Sequence, residues 1–194
     1  MTDWSLVNTS ASTLAADAPD APTPDLPARF SDLGISRELC RVLEQGGIER
    51  PFSIQAATLP DCLAGRDVCG MAPTGSGKTL AFGLAILSRL AARKNGNQGP
   101  RQGARRGRTH PSALVLVPTR ELAAQIEEVI RPLAAAIGAK VTSIYGGVGY
   151  GPQRAALRNG VDVLIACPGR LTDLIDQGAL RLSHVEIAVI DEAD

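Results

Sequence analysis

The sequence predicts an α/β domain with a doubly wound, mostly parallel sheet, and three observations predict it. From 113 onward, short apolar runs of strand length alternate with stretches of helical periodicity. The Gly-rich stretch Ala72-Pro73-Thr74-Gly75-Ser76-Gly77-Lys78-Thr79 lies between the apolar run Val68-Cys69-Gly70-Met71 and a helix-prone segment over 80–87. The apolar run Val185-Glu186-Ile187-Ala188-Val189-Ile190 ends in Asp191-Glu192-Ala193-Asp194. Parallel strands joined through helices bury both sheet faces, which is why these runs are nearly continuous in apolar residues.

A Gly-rich turn that leaves a strand and enters a helix directs several backbone N–H groups at one spot, where the helix N-terminus adds partial positive charge. Such a spot suits a polyphosphate. Lys78 is then placed to reach the β- and γ-phosphates, and the Thr79 hydroxyl to be a ligand for Mg²⁺. Ala72 takes the place of the usual first glycine of the pattern. A buried strand that ends in acids delivers carboxylates to the C-terminal edge of the sheet, where open α/β folds bind ligands. Asp191 is the candidate for holding Mg²⁺ through its water shell, and Glu192 for orienting and deprotonating an attacking water.

On these two motifs the chain resembles the DEAD-box ATP-dependent RNA helicases. The family takes its name from Asp-Glu-Ala-Asp, and Ala in the first position of the phosphate turn is the family's own variant. The resemblance covers 30–194 and implies the N-terminal of the family's two RecA-like P-loop domains, with ATP and Mg²⁺ as cofactors. Ala72, Thr74, Gly75, Ser76, Gly77, Lys78 and Thr79 become the phosphate contacts, and Lys78, Asp191 and Glu192 the catalytic groups.

At 194 residues and 44% hydrophobic, the chain has room for one α/β core with a tail left over. Formal net charge is zero, so attraction to nucleic acid must come from local patches. Cys40, Cys62, Cys69 and Cys167 form no C-x-x-C pair and sit among apolar or small residues, as thiols do in a reducing compartment. No apolar run reaches the roughly 18 residues of a membrane span, and no basic region precedes an apolar one at the N-terminus. A cytoplasmic protein without a membrane partner is the expectation.

Residues 1–28 carry Asp3, Asp17, Asp20 and Asp25 and no Lys or Arg, among Ala, Thr, Ser and Pro. This composition predicts a disordered acidic leader. A helix follows, with Ser36 as N-cap, Leu39, Val42 and Leu43 on one face, and Gly46-Gly47 as its stop. Ser53 is expected to cap the next helix, which runs to about 64. The stretch Gly47-Ile48-Glu49-Arg50-Pro51-Phe52-Ser53-Ile54-Gln55, with Phe30 upstream, resembles the family's Q motif. By that resemblance Gln55 selects adenine, since one acceptor and two donors can meet both N6–H and N7, and Phe30 packs on the adenine ring. Phe52 replaces the Thr more common there and reads as a core residue.

The helix after the phosphate turn is expected to end near Arg93. Residues 94–111 then form a Gly- and Arg-rich insertion, either simply solvated or touching RNA. Beyond it the pattern gives a strand over 113–117, a helix from 120 to about 136, a strand over 140–145, a helix over 151–158, a strand over 161–166, a helix over 171–177 and the final strand. The loops after the first three strands are Pro118-Thr119-Arg120, Gly146-Gly147 and Cys167-Pro168-Gly169-Arg170. They resemble the family's single-strand RNA contacts, with Cys167 in place of a Thr. Small residues, helix N-termini and the two arginines suit sequence-independent contact with phosphates and 2′-OH groups of a single strand or short duplex. Protein partners are not indicated.

In the family a Ser-Ala-Thr motif follows on a further strand between the phosphate-turn strand and the acidic strand, and a second RecA-like domain adds an arginine finger. Without them the sheet is expected to have a gap and the chain to read as a truncated copy, unable to unwind a duplex alone. The alternative is a nucleotide- or RNA-binding fragment without turnover. A helicase-like ATPase acting on DNA is disfavoured by the Q motif together with Asp-Glu-Ala-Asp.

Overall fold

The computed structural model of the chain describes residues 29–95 and 110–193. The acidic leader, most of the 94–111 insertion and Asp194 lie outside the described residues. A short 3-10 turn, Phe30–Leu33, precedes helices α1 (Arg37–Gln45), α2 (Ser53–Leu63) and α3 (Lys78–Asn95). Strand β1 (Ala113–Leu116), helix α4 (Arg120–Ala136), strand β2 (Val141–Ile144), helix α5 (Tyr150–Arg158), strand β3 (Val163–Ala166), helix α6 (Pro168–Asp176) and strand β4 (Ile187–Ile190) follow. The described strands form one parallel sheet in the order β2-β3-β1-β4.

Strand periodicity divides the core between the two faces of this sheet. Ala113 and Val115 of β1, with Val163 and Ile165 of β3, pack into a cluster that holds Leu39, Leu59, Leu84, Leu87, Ile126 and Ile130 from α1 to α4. Leu114, Leu164 and Ala166 point the other way, onto Leu157 of α5 and Leu171 and Leu174 of α6. Successive side chains alternate between faces, so a single apolar run feeds both cores. The doubly wound architecture follows directly.

The direction of α3 matters most for the site. Lys94, near its C-terminal end, donates from Nζ to the carbonyls of Ile137 and Gly138 just past α4, at 2.9 and 2.8 Å. Arg93 pairs with Glu186, immediately before β4. The last turn of α3 is thereby fixed at the N-terminal edge of the sheet. From Arg93 back to Lys78 the helix rises about 22 Å, while the chain from Glu186 to Asp191 advances about 17 Å. Both run to the opposite edge, so the N-terminus of α3 and the end of β4 share it.

One strand expected from the sequence does not form. Val68-Cys69-Gly70-Met71 joins no ladder, with Val68 40% and Met71 81% exposed. A strand this short needs a neighbour with free hydrogen-bonding groups. On its side of the sheet β4 is the outermost described strand, with Ile190 65% exposed.

Smaller differences concern ends. Helix α6 starts at Pro168 rather than at 171, because proline at the first helical position loses no hydrogen bond and presets φ. Ser36 occupies the N-cap of α1 but makes no side-chain capping bond. Leu164→Ala removes a fully buried side chain from the α5–α6 face, and is expected to lower stability by about 2–5 kcal/mol in urea unfolding.

Candidate functional site

The phosphate turn is shaped by its glycines. Gly75 has φ +84° and Gly77 +89°, a left-handed geometry that turns successive N–H groups toward one concavity as α3 opens at Lys78. Thr74 and Gly75 are exposed, while Lys78 and Thr79 are half-buried in the first turn of the helix. The Ser76 Oγ is buried without a protein partner. Open amides, a helix N-terminus, a cation, and a hydroxyl left unsatisfied fit a magnesium-bound triphosphate.

Gln55 is completely buried and holds this turn in place. Its Oε1 accepts from the Phe52 amide at 2.8 Å, and its Nε2 donates to the Gly77 carbonyl at 3.1 Å. The first bond is the return half of a capping box, so Gln55 satisfies the N-terminus of α2. Ser53 is already inside the helix, at its first position, which corrects the expectation that it caps it. Phe52 is the N-cap and, rather than a core residue, is 56% exposed with its ring against Gly77. A Cβ on Gly77 would stand 2.4 Å from Gln55 Nε2 and 2.8 Å from the Phe52 ring. One N–H and one lone pair of the Gln55 amide remain uncommitted, the complement of the adenine N7 and N6–H. Reaching them requires the covering atoms to shift. Phe30 is 2% exposed within the core, beside a cleft of about 380 Å³ lined also by Arg29, Arg37, Cys40 and Glu44. Gln55 and the phosphate turn do not line that cleft.

At the end of β4, the Asp191 amide donates to the Leu116 carbonyl at 3.0 Å, tying it to β1. Glu192, with φ +55°, is the only residue other than glycine with positive φ among the described residues. Such a conformation costs roughly 1–3 kcal/mol and concentrates at functional positions. Both acids lie on the edge reached by the start of α3.

The three polar loops after β1, β2 and β3 meet on the same edge. Thr119 N-caps α4, its Oγ1 accepting from the Leu122 amide at 3.2 Å. Arg120 is exposed and bound to Glu121, and that hydrogen bond holds the Glu121 carboxyl below its usual range. The Arg120 guanidinium lies 3.5 Å from where a Cβ of Gly147 would stand, so the first and second loops are adjacent. Gly146, Gly147, Pro168 and Gly169 are exposed. Cys167 is the N-cap of α6 without a side-chain bond, and burial, reinforced by Glu121, pushes its thiol pKa up. Arg170, expected as a free phosphate donor, is instead 8% exposed, donating from Nη1 to the Val148 carbonyl at 3.0 Å and lying 4.1 Å from the centre of the Tyr150 ring. Its guanidinium braces the second loop.

An open parallel sheet with a glycine-rich turn opening a helix and acids closing a strand on one edge defines the P-loop class of nucleotide-binding domains. The model of the DEAD/DEAH box helicase family matches residues 52–194. A chloroplastic DEAD-box ATP-dependent RNA helicase 3A of Zea mays is 47% identical over 162 residues, 84% of this chain and 21% of that protein. The ATP-dependent RNA helicase RhlB of Pasteurella multocida is 43% identical, over 86% of this chain and 37% of its own length. Among solved structures, the RNA helicase Prp28 of Chaetomium thermophilum bound to ADP superposes with a TM-score of 0.76 at 37% identity, covering 89% of this chain and 40% of that one. The chain belongs to the DEAD/DEAH box helicase family. It spans well under half the length of these relatives.

Sequence reasoning missed three contributors: Phe52 against the turn, and Gln153 and Tyr150 behind the second loop. Gln153 is 7% exposed and donates to the Tyr145 carbonyl at 3.0 Å. A Gln and a Tyr on a short polar helix carry no pattern that marks them in advance. Because Gln55 satisfies two backbone groups without any nucleotide, Gln55→Ala is expected to destabilise the nucleotide-free chain by roughly 1–3 kcal/mol in chemical denaturation. A side chain serving only as a base contact would leave that stability unchanged.

Proposed function

We propose that this chain is the ATP-binding portion, with part of the RNA-binding surface, of an ATP-dependent RNA helicase of the DEAD-box type. The observation that carries the proposal is the shared sheet edge, which brings the start of α3, the acids after β4 and the three polar loops to one side. Ala72, Thr74, Gly75, Ser76 and Gly77 would wrap the phosphates with backbone and hydroxyl donors. Lys78 would neutralise charge on the β- and γ-phosphates, and Thr79, with Asp191 through the water shell, would hold Mg²⁺. When bound, magnesium-ATP supplies the phosphoryl group that is transferred to water. Glu192 would orient that water and take its proton.

Gln55 forms the base-selecting end. Phe30, which the Q-motif resemblance assigns to the adenine ring, lies in the core beside a cleft that Gln55 does not line and would have to be uncovered to reach a base. The Gln55 side chain keeps one donor and one acceptor in reserve, which suits adenine and mismatches guanine. Pro118, Thr119, Arg120, Gly146, Gly147, Pro168 and Gly169, braced from behind by Arg170, would make a surface for RNA that reads backbone rather than sequence, as a single strand or short duplex. No helix among the described residues is long and apolar enough to cross a membrane. The 1–28 leader, the 29–194 RecA-like domain with its Q motif over 30–55, and the 94–111 insertion complete the proposed organisation, and a cytoplasmic site of action suits an RNA substrate.

A fluorescent ATP analogue titrated into the chain is expected to bind in a Mg²⁺-dependent way, to be displaced by ATP far better than by GTP, and to lose binding in Lys78→Ala. Equal displacement by the two nucleotides refutes the role given to Gln55. Binding that survives in both Lys78→Ala and Asp191→Asn refutes the cradle itself. Cys167→Thr supplies the missing cap of α6 and is expected to raise stability by about 0.5–2 kcal/mol, read as a higher unfolding midpoint.

A further inference from the structure

Two of the three polar loops are joined by a cluster that the nucleotide and RNA roles leave unused. The loop after β2 contains Gly146, Gly147 and Gly149 and presents Val148, 45% exposed, at its tip. So many glycines leave a loop with little intrinsic preference for one conformation. Three side chains from the following helices nonetheless hold it at both ends. Gln153 donates to the Tyr145 carbonyl at its start, and Arg170 donates to the Val148 carbonyl at its tip. Tyr150, at its end, lies on the Arg170 guanidinium, 4.1 Å from ring centre to the Arg170 Cζ. The Tyr150 hydroxyl donates to Asp173 Oδ2 at 2.9 Å, one turn further along α6.

The Arg170 side chain is more than nine-tenths buried, and its Nε has no protein partner. A guanidinium buried this way is held by orientation more than by hydrogen bonds, and the ring beneath it sets that orientation. Removing the ring frees Arg170 to leave Val148, and the tip then loses its tie to α6.

We propose that Tyr150 is a positioning residue for the RNA-binding edge: by stacking its ring on Arg170 it clamps the Gly-rich loop after β2 to the N-terminal turns of α6, fixing both as one preorganised surface for the sugar-phosphate backbone of single-stranded RNA. This rests on the RNA role proposed above. Tyr150 acts through Arg170 and the loop amides, and its own contact with RNA is not required. Two loops held in register bind a flexible strand without first being ordered, which is the source of the gain.

The test uses the whole chain with labelled oligouridylate, followed by fluorescence anisotropy at low salt, and the NMR signal of the Arg170 Nε–H. In the unaltered chain that signal is expected upfield, shielded by the Tyr150 ring. Tyr150→Phe keeps the ring and is expected to keep both the shift and the RNA affinity within about twofold. Tyr150→Leu is expected to return the signal toward that of free arginine and to weaken RNA binding roughly fivefold to tenfold, on the scale of one cation–aromatic contact. Binding of the fluorescent ATP analogue serves as the control and is expected to stay unchanged. An unshifted Arg170 signal, or Tyr150→Leu binding RNA as tightly as the unaltered chain, overturns the clamp. Parallel losses of RNA and ATP binding in Tyr150→Leu also overturn it, since they signal general loss of structure. If the unaltered chain fails to bind oligouridylate while Arg170 is still shielded, the RNA role itself is refuted, and with it the purpose assigned to the clamp.

Discussion

Parallel pairing is the constraint on which the molecule depends. Because β2, β3, β1 and β4 all run the same way, every segment that leaves a strand emerges at one edge, whatever its sequence. Backbone hydrogen bonds continue across that edge beyond the strands themselves. The Asp191 amide donates to the Leu116 carbonyl, the Val117 amide to the Ala166 carbonyl, and the Cys167 amide to the Ile144 carbonyl, each at 3.0 Å. These bonds connect the acids to the starts of all three polar loops. A row of this kind fixes separations between groups, and the burial of both sheet faces keeps it from shearing.

The phosphate turn is the one part of the site that does not hang from this ladder. Val68-Cys69-Gly70-Met71 is unpaired, so the turn takes its position from two other sources. Helix α3 is held at its far end by Lys94 and Arg93, and the turn itself by Gln55 through the Gly77 carbonyl. On the proposed reading Gln55 has two roles on one amide. Its bonds to Phe52 and Gly77 stabilise the turn, while the proposed adenine contact would call on the groups left over, behind atoms that must move. Base recognition and the position of the phosphate turn would then be linked through a single side chain.

Much of the fold was legible because apolar runs in a parallel sheet carry a strong signal. Helix α4 begins at Arg120 and ends at Ala136 as its periodicity predicts, and the strands after it fall inside the expected runs. The run at 68–71 misled because periodicity reports which residues could form a strand and cannot report whether a partner is available. The site divides in the same way. Glycines, Lys78 and the acids announce themselves, since their chemistry demands those residue types. Side chains that act by bracing backbone, such as Gln153 on the Tyr145 carbonyl or Arg170 on Val148, depend on contacts between helices that no spacing encodes.

Arg170 shows how a correctly noticed residue can do something other than its type suggests. Arginine at a helix N-terminus beside an exposed Pro-Gly pair is a natural phosphate donor, yet its side chain is turned inward and committed to Val148 and Tyr150. Burial removes most of its value as a point of first encounter with RNA. What it offers instead is geometry: it fixes the loop whose exposed glycine amides, alongside Arg120, remain accessible. The exposed cation and the buried one thus differ in what they can do: on the proposed reading Arg120, exposed and paired with Glu121, would exchange that carboxylate for a phosphate, while Arg170 holds the loop backbone in place. On the proposed RNA role, an edge built in this way would respond to the spacing of a sugar-phosphate chain more than to its bases, because its accessible groups among the described residues are backbone amides and the Arg120 side chain.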